Sequence, residues 1–353
     1  MPKLALTPDS LQREVQAFSQ KLIDGQKNFE SAAELRPGCS ERKRVFEIDN
    51  VGLYHYEPLA KRTNRTPLLI VYALVNRAEM ADLQPDRSLI RSLLERGLDV
   101  YLIDWDYPDG SNRLRSLDNY INRYIDGCVK YICREQNIDA INLLGICQGG
   151  AMSVCYSTLY PEHVRNLITT VTPIDFHTRN DMLSHIFKQV DVDLLVDGDG
   201  NLSGDLLNLI FLSLKPFRLA QQKYVDLING SDDLPTVEMF MRMEHWIFDS
   251  PNLAGQAFKE FAKQFYQQNA LIKGEVEIAG KRVDLKKLKV PILNIFGAHD
   301  HLVPPAASKA LGQYAGSKDY TELEFPGGHI GIYVSGRAHK MVPPAIAEWL
   351  QAR

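Results

Sequence analysis

The chain has 353 residues, 45% of them apolar and 24% charged, and a net charge of −4. This is the profile of a globular protein with one large domain carrying an insertion, or with two domains. No Lys/Arg run is long enough for a nucleic-acid footprint, so nucleic acid is excluded as a partner. The longest apolar-rich run, "LLNLIFLSLKPF" at 206–217, is too short to span a bilayer, and the first residues turn polar too soon for a signal peptide. A cytoplasmic, reducing location is expected. The five cysteines, Cys39, Cys128, Cys133, Cys147 and Cys155, are odd in number and lack metal-site spacing, so no metal is expected. All but Cys147 read as reduced structural thiols.

Residues 8–35 read as an amphipathic helix, with Leu11, Val15, Phe18 and Leu22 at helical spacing. "RVFEID" and "VGLYHYE", split at Asn50, alternate like an antiparallel hairpin at a sheet edge. Continuous apolar runs then follow at 67–74, 98–105, 139–146, 166–173 and 290–297, with "YTELEFP" at 320–326. Strands covered by helices on both faces have this composition. Helical segments separate the runs, which predicts an α/β fold with a mostly parallel, doubly wound sheet. Between 173 and 290 no clear sheet strand occurs, and the pattern is helical with loop signals at "DGDGNLSG" and "NGSDDLP". The expected organisation is a core of residues 1–173 and 290–353, interrupted by a mainly helical cap at 174–289.

"LLGICQGGAM", at 143–152, carries the chemistry. Gly145-Ile146-Cys147-Gln148-Gly149 has the spacing of a nucleophile elbow, where a strand turns sharply into a helix. Small neighbours are needed because larger ones clash in the turn. The helix N-terminus points free N–H groups at Cys147, a place that favours a thiolate. The Gln148 amide is the expected first oxyanion donor. The second is expected in the loop after an earlier strand, near Leu74 or Val75, with Val75 the chosen candidate. Taken alone, Gly-x-Cys-x-Gly also fits a buried cysteine after a strand. Asp300 and His329, each just past an apolar strand and in the order nucleophile, acid, histidine, favour a catalytic triad. His301, beside Asp300, is expected to support it or to touch substrate, whereas His299 is expected to face solvent. His245 is ambiguous, and Trp246 reads as apolar core.

A thiol nucleophile suits thioesters, because it exchanges one thioester for another and keeps the acyl group energised toward an alcohol. Cys147 therefore favours acyl transfer over hydrolysis. A thioesterase or polyester depolymerase on the same scaffold is the alternative reading, and a non-catalytic scaffold with a relic triad is another.

The chain closely resembles the catalytic subunits of class III polyhydroxyalkanoate synthases, members of the α/β-hydrolase superfamily. The resemblance runs nearly its whole length, through "PLLIVYALVNR", "DVYLIDWDYPD", "NLLGICQGGA", "FLSLKPF", "RMEHWIFDSP", "NIFGAHDHLVPP" and "FPGGHIGIYVSG". It implies polymerisation of (R)-3-hydroxyacyl-CoA, chiefly 3-hydroxybutyryl-CoA, with release of CoA and no added cofactor. The family's cysteine, aspartate and histidine fall on Cys147, Asp300 and His329. It also implies a second, E-type synthase subunit, a homodimer or hetero-oligomer, and work at the surface of polyester granules.

Overall fold

The continuous apolar runs become strands because each can be buried on both faces. β3 (Leu68–Val71), β5 (Ile141–Ile146) and β7 (Ile292–Gly297) have no exposed residue. They belong to an eight-stranded sheet with β1 (Arg42–Ile48), β2 (Val51–Tyr56), β4 (Val100–Asp104), β6 (Val164–Thr170) and β8 (Tyr320–Phe325). In this computed structural model, which describes residues 7–196, 198 and 200–353, the strand order is β1-β2-β4-β3-β5-β6-β7-β8. β2 runs antiparallel to both β1 and β4, and every pair from β4 to β8 is parallel. The two edge strands, β1 and β8, keep exposed polar positions such as Glu47, Glu322 and Glu324, which discourage pairing with another chain.

The α-helices of seven or more residues are α1 (Pro8–Ala32), α2 (Leu89–Glu95), α3 (Asp126–Gln136), α4 (Gln148–Leu159), α5 (Met182–Gln189), α6 (Gly204–Ser213), α7 (Lys223–Asn229), α8 (Leu234–Phe248), α9 (Gly255–Phe261), α10 (Pro305–Tyr314) and α11 (Gly336–Gln351). α4 is buried nearly all round. Its Ser153, Ser157 and Thr158 hydroxyls stay satisfied by donating to carbonyls one turn back, at 2.7 Å each. Between β6 and β7 lies a short hairpin, Val276–Ile278 with Lys281–Val283, that is not part of the main sheet. Three residues per strand are too few to register as a period in the sequence. Its turn, Ala279-Gly280, has positive φ at both residues, as a tight hairpin requires.

The chain divides into two compact units. One comprises residues 38–207 and 250–353 and contains the whole sheet. The other comprises residues 7–37 and 208–249, where α1 packs with α7 and α8. In the larger unit, asparagines inside three apolar strands pair across the sheet. Asn166 donates to Asn142 at 2.8 Å, Thr169 donates to Asn294 at 2.9 Å, and Asn294 donates to the Ser308 carbonyl at 3.0 Å. Satisfied polar groups of this kind penalise any register in which they would be left unpaired.

Candidate active site

β5 ends at Ile146 and α4 begins at Gln148, so one residue makes the whole turn. Cys147 takes φ 53° and ψ −122°, a strained backbone for a residue with a side chain. Its amide donates to the Thr170 carbonyl at 2.9 Å, and its carbonyl accepts from Gly150 at 2.9 Å. The flanking glycines are required by contact as well as by conformation. A Cβ on Gly149 would strike the Val71 and Tyr72 carbonyls, and one on Gly150 the Thr172 side chain. Only glycine at 149 lets the helix start lie against the end of β3.

That approach makes a link the sequence does not announce. The Gln148 side-chain oxygen accepts from the Leu74 amide at 3.1 Å, tying the loop after β3 to the first turn of α4. Of the two amides expected near this point, Leu74's is turned to Gln148, and Val75 follows it, half-buried. The Tyr72 carbonyl accepts from the Trp105 indole at 2.9 Å, which holds the same loop from β4. Gln148→Leu removes the acceptor while keeping most of the volume. The expected result is a roughly tenfold fall in kcat with little change in KM, less than the loss of an oxyanion donor itself. Unchanged kcat in steady-state assays would show that the loop holds its place without Gln148.

The acid and the histidine come from the loops after β7 and β8. The loops are tied together by the His299 amide, which donates to the Gly327 carbonyl at 2.9 Å. Asp300 is buried, and one carboxylate oxygen accepts from the Leu302 and Val303 amides at 2.8 and 2.9 Å. The other lies 2.7 Å from Nδ1 of buried His329. Cys147 acts electrostatically on His329. Burial by itself would lower the pKa of the imidazole. Asp300 and Cys147 overcome that and raise it well above its ordinary value. The structure thus brings Cys147, His329 and Asp300 together from three loops at the same edge of the sheet. His301 is half-buried beside Asp300, and His299 is exposed. His245 and Trp246 belong to the smaller unit, where the His245 ring hydrogen-bonds the Leu35 carbonyl and Trp246 is buried.

Three tyrosines from distant parts of the chain are coupled electrostatically to Cys147, and sequence reasoning did not single them out. Burial raises the phenol pKa values of Tyr72, Tyr266 and Tyr333, and the electrostatic influence of Cys147 acts in the same direction on each. They stay neutral. The Tyr333 hydroxyl is paired with that of Thr170 at 2.8 Å. No local motif marks such residues: Tyr72 and Tyr333 sit in apolar segments and Tyr266 among glutamines, with nothing adjacent in the chain to set them apart.

Residues 66–335 match the α/β-hydrolase fold family. Among solved structures, the esterase domain of a Rhodothermus marinus protein superimposes with a TM-score of 0.52 at 11% identity, covering 88% of this chain and 98% of that one. The Paleococcus ferrophilus monoacylglycerol lipase does so with 0.50 at 16% identity, covering 88% and 99%. At such identities they bear on the fold alone. Curated relatives are far nearer. The chain is 51% identical to the poly(3-hydroxyalkanoate) polymerase subunit PhaC of Thiocystis violacea, over 100% of both chains. It is 53% identical to that of Allochromatium vinosum over 99% of both, and 47% to that of a Synechocystis species over 95% of this chain and 91% of that one. With identity at this level over the full length, on a sheet, elbow and loop arrangement of the matching fold, the chain belongs to the poly(3-hydroxyalkanoate) polymerase family of the α/β-hydrolase superfamily.

Proposed function

We propose that this enzyme, a poly(3-hydroxyalkanoate) polymerase and hence an acyltransferase, builds its polyester on Cys147. The observation that carries the reading is the chain Cys147–His329–Asp300, with the thiol at a strained turn and the carboxylate fixed by two amides. His329 takes the thiol proton, and the sulfur attacks the thioester carbonyl of a 3-hydroxyacyl-CoA. The resulting oxyanion faces the Gln148 and Val75 amides. Collapse expels the CoA thiolate, which leaves as CoASH with the proton from His329. The acyl group is then held on Cys147 as a thioester.

In the second half, the 3-hydroxyl of another acyl-CoA gives its proton to His329 and attacks the Cys147 thioester. An ester forms, and the cysteine sulfur leaves and regains the proton. When the extended chain returns to Cys147, a further CoASH is released. Each monomer added forms one ester bond and frees one CoA, with no redox step and no added cofactor. Asp300 acts through His329, because one of its oxygens is held by two amides and the other by the imidazole. His301, half-buried and next to Asp300 in the chain, serves as a contact for the acyl-CoA in this reading. The family resemblance supports a second, E-type subunit as working partner and the cytoplasmic granule surface as the place of work.

The test is to follow CoA and acyl product together from (R)-3-hydroxybutyryl-CoA. CoA release matched by insoluble polyester, with free hydroxy acid near background, is the expected result. Equimolar free acid with no polymer would overturn the reading in favour of a thioesterase.

A further inference from the structure

A second strained residue stands beside Cys147. Val171, directly after β6, takes φ 44°, a region that a β-branched side chain enters only under constraint. Its amide donates to the Ile295 carbonyl of β7 at 2.8 Å. Thr170, one residue earlier, is in register with Ile146 of β5 on one side and with Ile295 on the other. Its carbonyl receives the Cys147 amide at 2.9 Å. The end of β6 is thus braced between the strand that delivers the nucleophile and the strand that delivers Asp300.

The Thr170 side chain reaches the third catalytic loop. Its buried hydroxyl lies 2.8 Å from that of buried Tyr333. Thr170 itself donates to the Gly145 carbonyl at 3.4 Å, which leaves the Tyr333 hydroxyl to donate to Thr170. The two ends of this short chain are close in sequence to the reacting groups. Gly145 is two residues before Cys147, and Tyr333 is four after His329. His329 and Tyr333 are also fastened to one helical turn. The Ile332 amide donates to the Gly328 carbonyl at 3.2 Å, and the Tyr333 and Val334 amides donate to the Ile330 carbonyl at 3.0 and 3.3 Å. A shift of Tyr333 is therefore passed to the backbone of His329.

We propose that Tyr333 is a positioning residue whose hydroxyl, through Thr170, sets the place of His329 relative to Cys147. The inference rests on the reading of Cys147 and His329 as a thiol and its base. Asp300 and the clamp do different things. Asp300 holds Nδ1 and so decides which way the ring faces. The Tyr333–Thr170–Gly145 chain decides where the turn that carries the ring sits against the elbow strand. Neither hydroxyl is offered to the acyl-CoA, because each is spent inside the clamp. Proton transfer between sulfur and imidazole depends steeply on their separation, so a small displacement of the turn is enough to slow it.

The test uses Tyr333→Phe, Thr170→Val and the double variant in the full chain. Tyr333→Phe keeps the ring and removes only the hydroxyl, and kcat is expected to fall about tenfold with KM within about twofold. The pH profile of Cys147 alkylation by iodoacetamide, followed by mass spectrometry of its peptide, gives a readout without turnover. A displaced imidazolium supports the thiolate less, so the thiol pKa rises. The midpoint of the profile should move up by about half a unit or more, with alkylation slowed below it and recovered above it. A loss of folded protein would instead lower alkylation equally at every pH.

The double variant separates positioning from stability. Thr170→Val alone leaves the Tyr333 hydroxyl buried without its partner, so its melting temperature should fall. With both hydroxyls gone, melting should return toward that of the unaltered chain. The kcat and the alkylation midpoint should not return, and the losses of the two single variants should not multiply, because either one already opens the clamp. Should Tyr333→Phe not fold, the double variant carries the same readouts. An unmoved alkylation midpoint, a kcat that recovers together with melting, or losses that multiply would each overturn the proposal. Full CoA release by Cys147→Ala would instead undo the reading of the nucleophile, whatever Tyr333 does.

Discussion

Replacing Cys147 by alanine is expected to reduce CoA release from (R)-3-hydroxybutyryl-CoA by roughly 10⁵-fold or more, the scale on which removing a covalent nucleophile acts. The substitution touches nothing else. Alanine occupies the same backbone position at φ 53°, and the amide and carbonyl bonds to Thr170 and Gly150 do not involve the side chain. Thermal melting should therefore move little while activity disappears. Cys147→Ser separates shape from chemistry. Serine fits the turn, yet its hydroxyl surrenders a proton far less readily than a thiol, and an ester on serine is a poorer donor to the next 3-hydroxyl than a thioester. A loss on the order of 10³-fold is expected for it. If the alanine variant released CoA at nearly the unaltered rate, the acyl chain would be carried elsewhere.

Asp300→Asn is expected to stop the enzyme after its first acylation. The two halves of the reaction ask different things of His329. In the first it receives a proton from a thiol, whose ordinary pKa of about 8.5 lies near neutrality. In the second it must take one from an alcohol, which is a far weaker acid. Asp300 raises the His329 pKa and orients Nδ1 at 2.7 Å, so its loss weakens the base and frees the ring to adopt the wrong tautomer. Asparagine keeps the shape and can still accept from the Leu302 and Val303 amides, so the loop should stay in place. Rapid mixing should show a burst of about one CoA per active site, followed by turnover reduced by roughly 10³–10⁴-fold. Mass spectrometry should then find one hydroxyacyl group on Cys147. Absence of the burst would show that Asp300 is needed even to load the thiol.

Much of this protein is legible without coordinates where one local rule governs. A strand covered on both faces has to be apolar throughout, so the runs that became β3, β5 and β7 declared themselves, whereas β8, grouped with them in the sequence, lies at the sheet edge with Glu322 and Glu324 exposed. The elbow at Cys147 is equally local, because the turn admits only small neighbours, and those neighbours are adjacent in the chain. The position of a residue just past a strand placed Asp300 and His329 at the correct edge of the sheet.

What only the tertiary structure decided are contacts between residues distant in sequence, for which no periodicity exists. The Asp300–His329 bond closes across 29 residues, and the Gln148–Leu74 bond across 74. The pairing of Asn142 with Asn166 became visible only once β5 and β6 lay side by side, because an asparagine in an apolar run carries no sign of its partner. The same reason hid the electrostatic coupling of Tyr72, Tyr266 and Tyr333, from separate elements, to Cys147. It also hid the place of α1. Its helical period was plain in the sequence, but its association with α7 and α8, two hundred residues away, was not. A helical stripe specifies that a face is to be buried. What buries it, and how much of it stays bare, is set by where the rest of the chain runs.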